Sequence, residues 1–103
     1  MTATLERLET IIASRASASP EESHTAALLA KGRAKVAEKV GEEAVETVIA
    51  AMGEDRAALI AESADLLFHL AVLWHDAGIS AADVDAELAR REGVSGIEEK
   101  ASR

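Results

Sequence analysis

Apolar residues recur at helical spacing along most of the chain, and a few Gly, Pro and Ser positions interrupt them. Apolar residues three or four apart lie on one face of a helix and mark the side that packs. The pattern predicts about five helices, which cover residues 2–15, 24–31, 33–52, 56–77 and 81–91. We therefore expect an all-α helical bundle with short connections.

Local signals set the boundaries of these helices. The Ser- and Ala-rich segment 16–23 contains the only proline and is assigned to a loop. Asp55 and Ser80 each precede a helix and carry side chains that cap helical N-termini. Asp83 follows Ser80 at the spacing of a capping box. Gly78 follows the fourth helix and is expected to end it.

Two helices are expected to pack through one apolar stripe each. The stripe of the first helix consists of Leu5, Leu8, Ile11 and Ile12. The apolar side of the third helix consists of Val36, Val40, Val48, Ile49 and Met52.

The fourth predicted helix, residues 56–77, is apolar on nearly every side, and the run 66–74 is its most apolar part. A helix that is apolar all round must be buried all round. A single chain of this length has too few helices to cover it. We therefore predict a homodimer or a higher assembly with this helix at its centre. The run 66–74 is far too short to cross a bilayer, so we expect no membrane insertion.

Composition narrows the class of protein. The 103 residues suit one domain, 1–103, with a flexible polar tail at about 92–103. A formal net charge of −8 argues against general binding of nucleic acid. The absence of Cys excludes disulfides and thiolate chemistry. The N-terminus has no apolar run of signal-peptide length, so we expect a cytoplasmic protein.

Acidic residues stand in two short patterns on neighbouring helices. Glu43 and Glu46 lie three residues apart on the third helix, as do Glu62 and Asp65 on the fourth. Residues at this spacing share a face, and ionised carboxylates so placed repel one another beside apolar neighbours. A divalent cation removes that repulsion, and Mg²⁺ prefers such oxygen ligands. The spacing therefore predicts a four-carboxylate Mg²⁺ site, with Mn²⁺ as an alternative ion.

Other interpretations of these carboxylates remain open. The Glu residues of the third helix also fit a solvated face on which Lys39 neutralises Glu42 or Glu43. A di-iron centre is the competing metal site, but di-iron proteins of this class use Glu-x-x-His pairs, and all-carboxylate ligation favours Mg²⁺ or Mn²⁺. His69 follows Asp65 by one turn and fits a hydrogen-bonded histidine near the core better than a ligand.

Basic residues precede the carboxylates and recur near the C-terminus. Each fits an ordinary solubilising charge, but beside a Mg²⁺ site in an acidic protein they indicate phosphate binding. The candidates are Lys31, Arg33, Lys39, Arg90, Arg91 and Lys100.

Together these blocks resemble the MazG-like all-α nucleotide pyrophosphohydrolases, and most closely the phosphoribosyl-ATP pyrophosphohydrolase family of histidine biosynthesis. The resemblance rests on K-V-G-E-E-A-V-E-T at 39–47 and A-D-L-L-F-H-L at 64–70, with weaker matches at 23–32 and 90–100. It covers nearly the whole chain from about residue 5. His24 departs from the family pattern, which commonly has Tyr at this position.

The resemblance implies Mg²⁺-dependent hydrolysis of phosphoribosyl-ATP to phosphoribosyl-AMP and pyrophosphate by a homodimer. It assigns the metal ligands to Glu43, Glu46, Glu62 and Asp65. It makes Glu42 a further ligand or the group that orients the attacking water, so that the catalytic residues are Glu42, Glu43 and Glu46. The basic residues named above become phosphate binders.

Two other functions fit the same pattern. One is a house-cleaning pyrophosphohydrolase of noncanonical nucleoside triphosphates on the same scaffold. The other is a non-catalytic helical dimerisation module whose carboxylates only decorate its surface. For either enzyme, metal and carboxylates suffice for direct attack by water, without a covalent intermediate.

Overall fold

The computed structural model describes residues 3–94, 96, 100 and 101, and all regular structure within them is helical. The helices are α1 (Ala3–Ala16), α2 (His24–Ala30), α3 (Arg33–Met52), α4 (Arg56–Ala77) and α5 (Ala81–Arg90). The all-α prediction is confirmed, and each boundary lies within one residue of its expected position. The remaining residues of the predicted tail lie outside the described part of the chain.

The predicted caps form. The Asp55 carboxylate accepts a hydrogen bond from the backbone N–H of Ala58 at 3.0 Å at the start of α4. Ser80 and Asp83 make a reciprocal capping box, with N–H to side-chain oxygen distances of 2.9 and 3.1 Å. Gly78 ends α4 in the left-handed conformation, with φ of 73°. These bonds satisfy backbone groups that have no partner inside a helix.

The α3–α4 hairpin forms the most extensive contact in the molecule, and α1 packs on α4 beside it. Helix α2 contacts α1, α3 and α4, and α5 contacts α1. The buried apolar cluster lies where four of these helices meet and consists of Ile12, Leu28, Val36, Ala71 and Val72.

The core covers only one end of the α3–α4 hairpin. Its buried residues come from the start of α3, at Val36, and from the last third of α4, at His69, Ala71 and Val72. No residue of α3 beyond Val36, or of α4 before His69, is fully buried. The radius of gyration of 15.4 Å exceeds the ~13 Å expected for a compact chain of this length. The hairpin therefore extends beyond the core, with its turn at the far end.

Two of the expected stripes are partly wrong. In α1, Ile12 is buried, but Ile11 is 43% exposed because α4 packs on one side of α1 only. In α3, Val36 faces the core, whereas the later residues of the expected apolar side are exposed. Those residues are Val48, Ile49 and Met52. Helix α3 thus has two apolar faces, and the outer one has no cover within the described chain.

Helix α4 is not buried all round by this chain. Ile60 is 57% exposed and Leu67 is 41% exposed. Its 22 residues include a window of mean hydropathy 1.5, so by length and composition the helix resembles a membrane span. Core helices of soluble proteins meet the same criterion. The expectation of no membrane insertion rested on the shorter run 66–74 and stays a prediction.

The Asp55 cap gives a direct test of how α4 begins. Replacing Asp55 with Ala removes the hydrogen bond to the Ala58 N–H, and we expect the free energy of unfolding to fall by about 1 kcal/mol. Asp55→Asn keeps an accepting oxygen and is the matched control, with stability close to wild type. Urea denaturation at a fixed protein concentration measures both. Equal losses in the two variants would contradict the capping role.

Candidate metal centre

Helices α3 and α4 bring three of the predicted carboxylates together. One carboxylate oxygen from each of Glu43, Glu62 and Asp65 lies within 4.8 Å of the other two. Glu43 and Glu62 are partly buried between the helices, and Asp65 is exposed. The three-residue spacing on α4 and the antiparallel packing of the hairpin together produce this cluster.

Glu46, the fourth predicted ligand, lies beside Glu62. Burial raises the pKa of the Glu62 carboxyl above its usual value, and the adjacent carboxylates of Glu46 and Glu43 raise it further. Like charges and desolvation both disfavour the ionised form of Glu62. Three of the four predicted ligands therefore form one cluster, and the fourth, Glu46, lies next to it beside Glu62.

Two carboxylate oxygens at this site are buried without a partner. Glu43 Oε2 and Glu62 Oε2 form no hydrogen bond with any described residue. A buried charged oxygen without a partner is costly, so such atoms indicate a missing ligand. Oxygen ligands of one Mg²⁺ lie roughly 3–4 Å apart, because each bond is about 2.0–2.1 Å long. The clustered residues fit a hard divalent cation.

His69 lies against the site without joining the cluster. It is 6% exposed, and its Nδ1–H donates a hydrogen bond of 2.7 Å to the Asp65 carbonyl oxygen. The expected hydrogen-bonded histidine near the core is therefore confirmed. Its side chain holds the turn of α4 that presents Asp65, and the clustered ligand atoms are all oxygens. An all-oxygen set favours Mg²⁺ or Mn²⁺ over iron.

Glu42 is paired with a lysine. The ammonium group of Lys39 lies 3.0 Å from a Glu42 carboxylate oxygen. This hydrogen bond and charge lower the pKa of Glu42 and raise the pKa of Lys39. The predicted neutralisation of Glu42 by Lys39 is thus present beside the cluster.

The other predicted phosphate-binding residues are dispersed. Arg33 lies ten residues before Glu43, about 15 Å along α3, and binds Asp76 with Nε 2.7 Å from Oδ2. Arg90 and Arg91 both contact Glu87 on α5. Lys31 and Lys100 are exposed. None of these five residues is placed at the cluster, and their role in binding substrate stays a prediction.

Sequence reasoning missed two tertiary contacts. One is Asp76, which pairs with Arg33 across 43 residues of sequence. The other is a pair of rings, His24 and Phe68, with centroids 6.3 Å apart. Both depend on packing between helices, so no spacing within one helix signals them.

The raised pKa of Glu62 has a consequence for stability. The pKa of the Glu62 carboxyl is higher in the folded protein than its usual value of about 4.5. The protonated carboxyl therefore stabilises the folded state fully at pH values below 4.5, and this stabilisation is lost as the pH rises through the folded-state pKa. In EDTA at neutral pH we therefore expect Glu62→Gln to be more stable than wild type. Urea denaturation between pH 4.5 and 7.5 measures the difference, which should vanish at the acidic end.

Exposed Glu21 supplies the matched control, because Glu21→Gln makes the same charge change outside the site. We expect Mg²⁺ to stabilise the wild type and the Glu21 variant but not the Glu62 variant. A Glu62 variant that is no more stable than wild type at neutral pH would contradict carboxylate repulsion at this site.

Comparison with known proteins places this chain in a family. A family model described as phosphoribosyl-ATP pyrophosphohydrolase matches residues 5–92. A phosphoribosyl-ATP pyrophosphatase of Rhizorhabdus wittichii is 61% identical over 103 residues, covering 100% of this chain and 97% of the relative. The enzyme of the same name from Paramagnetospirillum magneticum is 60% identical over 99 residues, covering 96% of this chain and 91% of the relative. The chain belongs to the phosphoribosyl-ATP pyrophosphohydrolase family.

Proposed function

We propose that the chain hydrolyses phosphoribosyl-ATP to phosphoribosyl-AMP and pyrophosphate in histidine biosynthesis. The observation that carries this proposal is about 60% identity, over essentially the whole chain, to relatives named for that activity. The acidic site between α3 and α4 supports it, because hydrolysis of a phosphoanhydride requires charge neutralisation at the phosphates. Family membership and the chemistry of the site thus favour the same reaction.

The residues that would hold Mg²⁺, or Mn²⁺, are Glu43, Glu46, Glu62 and Asp65. Oxygens of Glu43, Glu62 and Asp65 cluster, with Glu46 beside Glu62. One oxygen each of Glu43 and Glu62 is buried without a partner among the described residues, which supports a resident cation. Bound there, the cation supplies Lewis-acid stabilisation of the attacked phosphate and of the leaving pyrophosphate.

The carboxylates of this chain would also manage the attacking water. As water adds to phosphorus and the anhydride bond breaks, a carboxylate of the acidic site accepts the proton of the water and pyrophosphate leaves. The Lys39 ammonium group lowers the pKa of Glu42 and makes it a weaker base. We therefore assign to Glu42 the orientation of the water by a hydrogen bond. Direct attack needs no Ser, Cys or His nucleophile.

Basic residues outside the acidic site would bind the substrate. Lys39 is the nearest in sequence to the carboxylates and already contacts Glu42. The other candidates lie outside the cluster. These candidates are Lys31, Arg33, Arg90, Arg91 and Lys100. Arg33, Arg90 and Arg91 are paired with acidic residues and would have to release them to bind a phosphate.

Pyrophosphate release tests the reaction and the carboxylate site together. We expect wild type to release pyrophosphate from phosphoribosyl-ATP with Mg²⁺ and to lose this activity in EDTA. Glu43→Gln keeps the shape of the side chain but removes its charge, and we expect kcat to fall about 100-fold or more. Glu21→Gln is the control and should retain full activity. A fully active Glu43 variant would exclude Glu43 from the reaction.

A panel of nucleotides separates this function from the alternatives. Turnover of noncanonical triphosphates without turnover of phosphoribosyl-ATP would favour the house-cleaning hydrolase on the same site. A folded protein that hydrolyses no nucleotide and is not stabilised by Mg²⁺ would favour the dimerisation module.

We also propose a homodimer in which the uncovered half of the hairpin is the interface. The outer face of α3 has an exposed apolar stripe, Val45, Val48, Ile49 and Met52, at helical spacing. Gly41 lies one turn before this stripe, and the space beside its Cα is open, since a Cβ atom at this position would have no neighbouring atom within 4 Å. Exposed apolar residues of α4 continue the surface. In a twofold dimer the same face of a second copy would pack against this one, so that both apolar surfaces are covered.

Charge introduced into the stripe tests the dimer. We expect wild type to sediment as a dimer, and Ile49→Glu to sediment as a monomer because it places a carboxylate in an apolar interface. Leu88→Glu is the matched control, since Leu88 is 54% exposed on α5, outside the stripe. Sedimentation equilibrium distinguishes them. A monomeric wild type, or a dimeric Ile49 variant, would argue against this interface.

We place the protein in the cytoplasm, as the expected location of a biosynthetic enzyme. In the proposed dimer, the apolar surface of α4 that resembles a membrane span would pack against protein. The partly buried carboxylate of Glu62 also lies on this helix, and a charged group inside a bilayer is costly.

A further inference from the structure

A polar cleft lies next to the acidic site, between the end of α1, the loop before α2 and the middle of α4. Its volume is about 420 Å³, within the range typical of sites for small ligands. Arg15, Ser23, His24 and Phe68 are among its lining residues. The cleft is not part of the predicted metal site and contains none of its carboxylates.

The cleft adjoins the acidic site through α4. Phe68 follows Asp65 by three residues, so both lie on the same side of the helix, about 5 Å apart along its axis. His69 connects them, since its Nδ1–H binds the Asp65 carbonyl oxygen and its ring meets Phe68 edge-on at 5.1 Å. The His69 ring also meets His24 edge-on at 6.4 Å. A ligand of nucleotide size can therefore contact both sites.

The aromatic pair in the cleft suits a planar base. The rings of His24 and Phe68 lie 19° from parallel with centroids 6.3 Å apart. His24 is exposed and Phe68 is partly buried, so the pair is fixed at one end and accessible at the other. Aromatic side chains arranged in this way stack on nucleobases.

Arg15 supplies a cation in the lining of the cleft. Its side chain is exposed and forms no ion pair with the described residues. A guanidinium group binds phosphate with two parallel hydrogen bonds. Glu22 also lines the cleft, and its carboxylate suits a hydroxyl donor such as that of ribose.

We propose that this cleft binds the non-reacting end of phosphoribosyl-ATP, with the adenine ring on His24 and Phe68 and the phosphate of the added phosphoribosyl group on Arg15. The proposal rests on the proposed function. The substrate differs from ATP by the added phosphoribosyl group, whose phosphate is its extra anionic group, so selectivity requires a site for that phosphate away from the triphosphate. Because the chain has a net charge of −8, a cation at that end also offsets the electrostatic repulsion between the protein and its anionic substrate.

Binding of two nucleotides, the product phosphoribosyl-AMP and its analogue AMP, isolates the role of Arg15. Phosphoribosyl-AMP and AMP share the base, but only the first carries the added phosphate. We expect wild type to bind phosphoribosyl-AMP about tenfold or more tightly than AMP, and Arg15→Gln to lose this preference. Arg7→Gln removes the same charge from an exposed position of α1 outside the cleft and should keep the preference. Isothermal titration calorimetry measures all six affinities.

His24 is tested with the same ligands. We expect His24→Ala to weaken binding of both nucleotides about tenfold, and His24→Phe, which keeps an aromatic face, to restore it. Stabilisation by Mg²⁺ should be unchanged in every variant, which shows that the acidic site is intact.

The outcomes separate the two proposals. Wild type that hydrolyses phosphoribosyl-ATP, together with an Arg15 variant that keeps the full preference, would overturn the cleft assignment alone. Equal binding of phosphoribosyl-AMP and AMP by wild type would also overturn it. Wild type that neither binds nor hydrolyses phosphoribosyl-ATP would overturn the proposed function and the cleft assignment with it.

Discussion

Repulsion among carboxylates across the α3–α4 contact is the constraint on which the rest of the structure depends. Glu43 and Glu62 leave buried oxygens without partners, and no cation of this chain is paired with them among the described residues. The helices tolerate this charge because α3 and α4 pack extensively on each other. The same packing fixes the ligand oxygens before any ion arrives, so little rearrangement is needed when one binds.

The acidic site lies at the border between the two halves of the hairpin. On one side, the core formed with α1 and α2 encloses Val36 and Val72. On the other side, the apolar residues of α3 and α4 are exposed. The position is useful for catalysis, because the core holds one edge of the site while the other edge is accessible to substrate. His69 belongs to the enclosed side and supports Asp65 from there.

The sequence predicts this fold well where the signals are local. Asp55, Ser80 and Gly78 mark helix ends through bonds to neighbouring residues, so the boundaries follow from the sequence itself. The carboxylates of Glu43, Glu62 and Asp65 come together, with Glu46 beside Glu62, because acidic residues of α3 and α4 face each other in a short hairpin. Periodicity identifies apolar faces but not their partners, which is why the exposure of Ile11 and of the later α3 residues was not foreseen. Arg33 and Asp76 meet only through tertiary packing.

The uncovered half of the hairpin links the stability of the chain to its abundance. Under the proposed pairing, association and unfolding share one equilibrium, so dilution destabilises every copy. A lone, newly synthesised chain would present the α3 stripe to chaperones and proteases until it meets a second one. Loss of one gene copy, or a mutation that slows synthesis, would then reduce the amount of enzyme more than proportionally. Quality control would set a threshold of expression below which little of the protein accumulates.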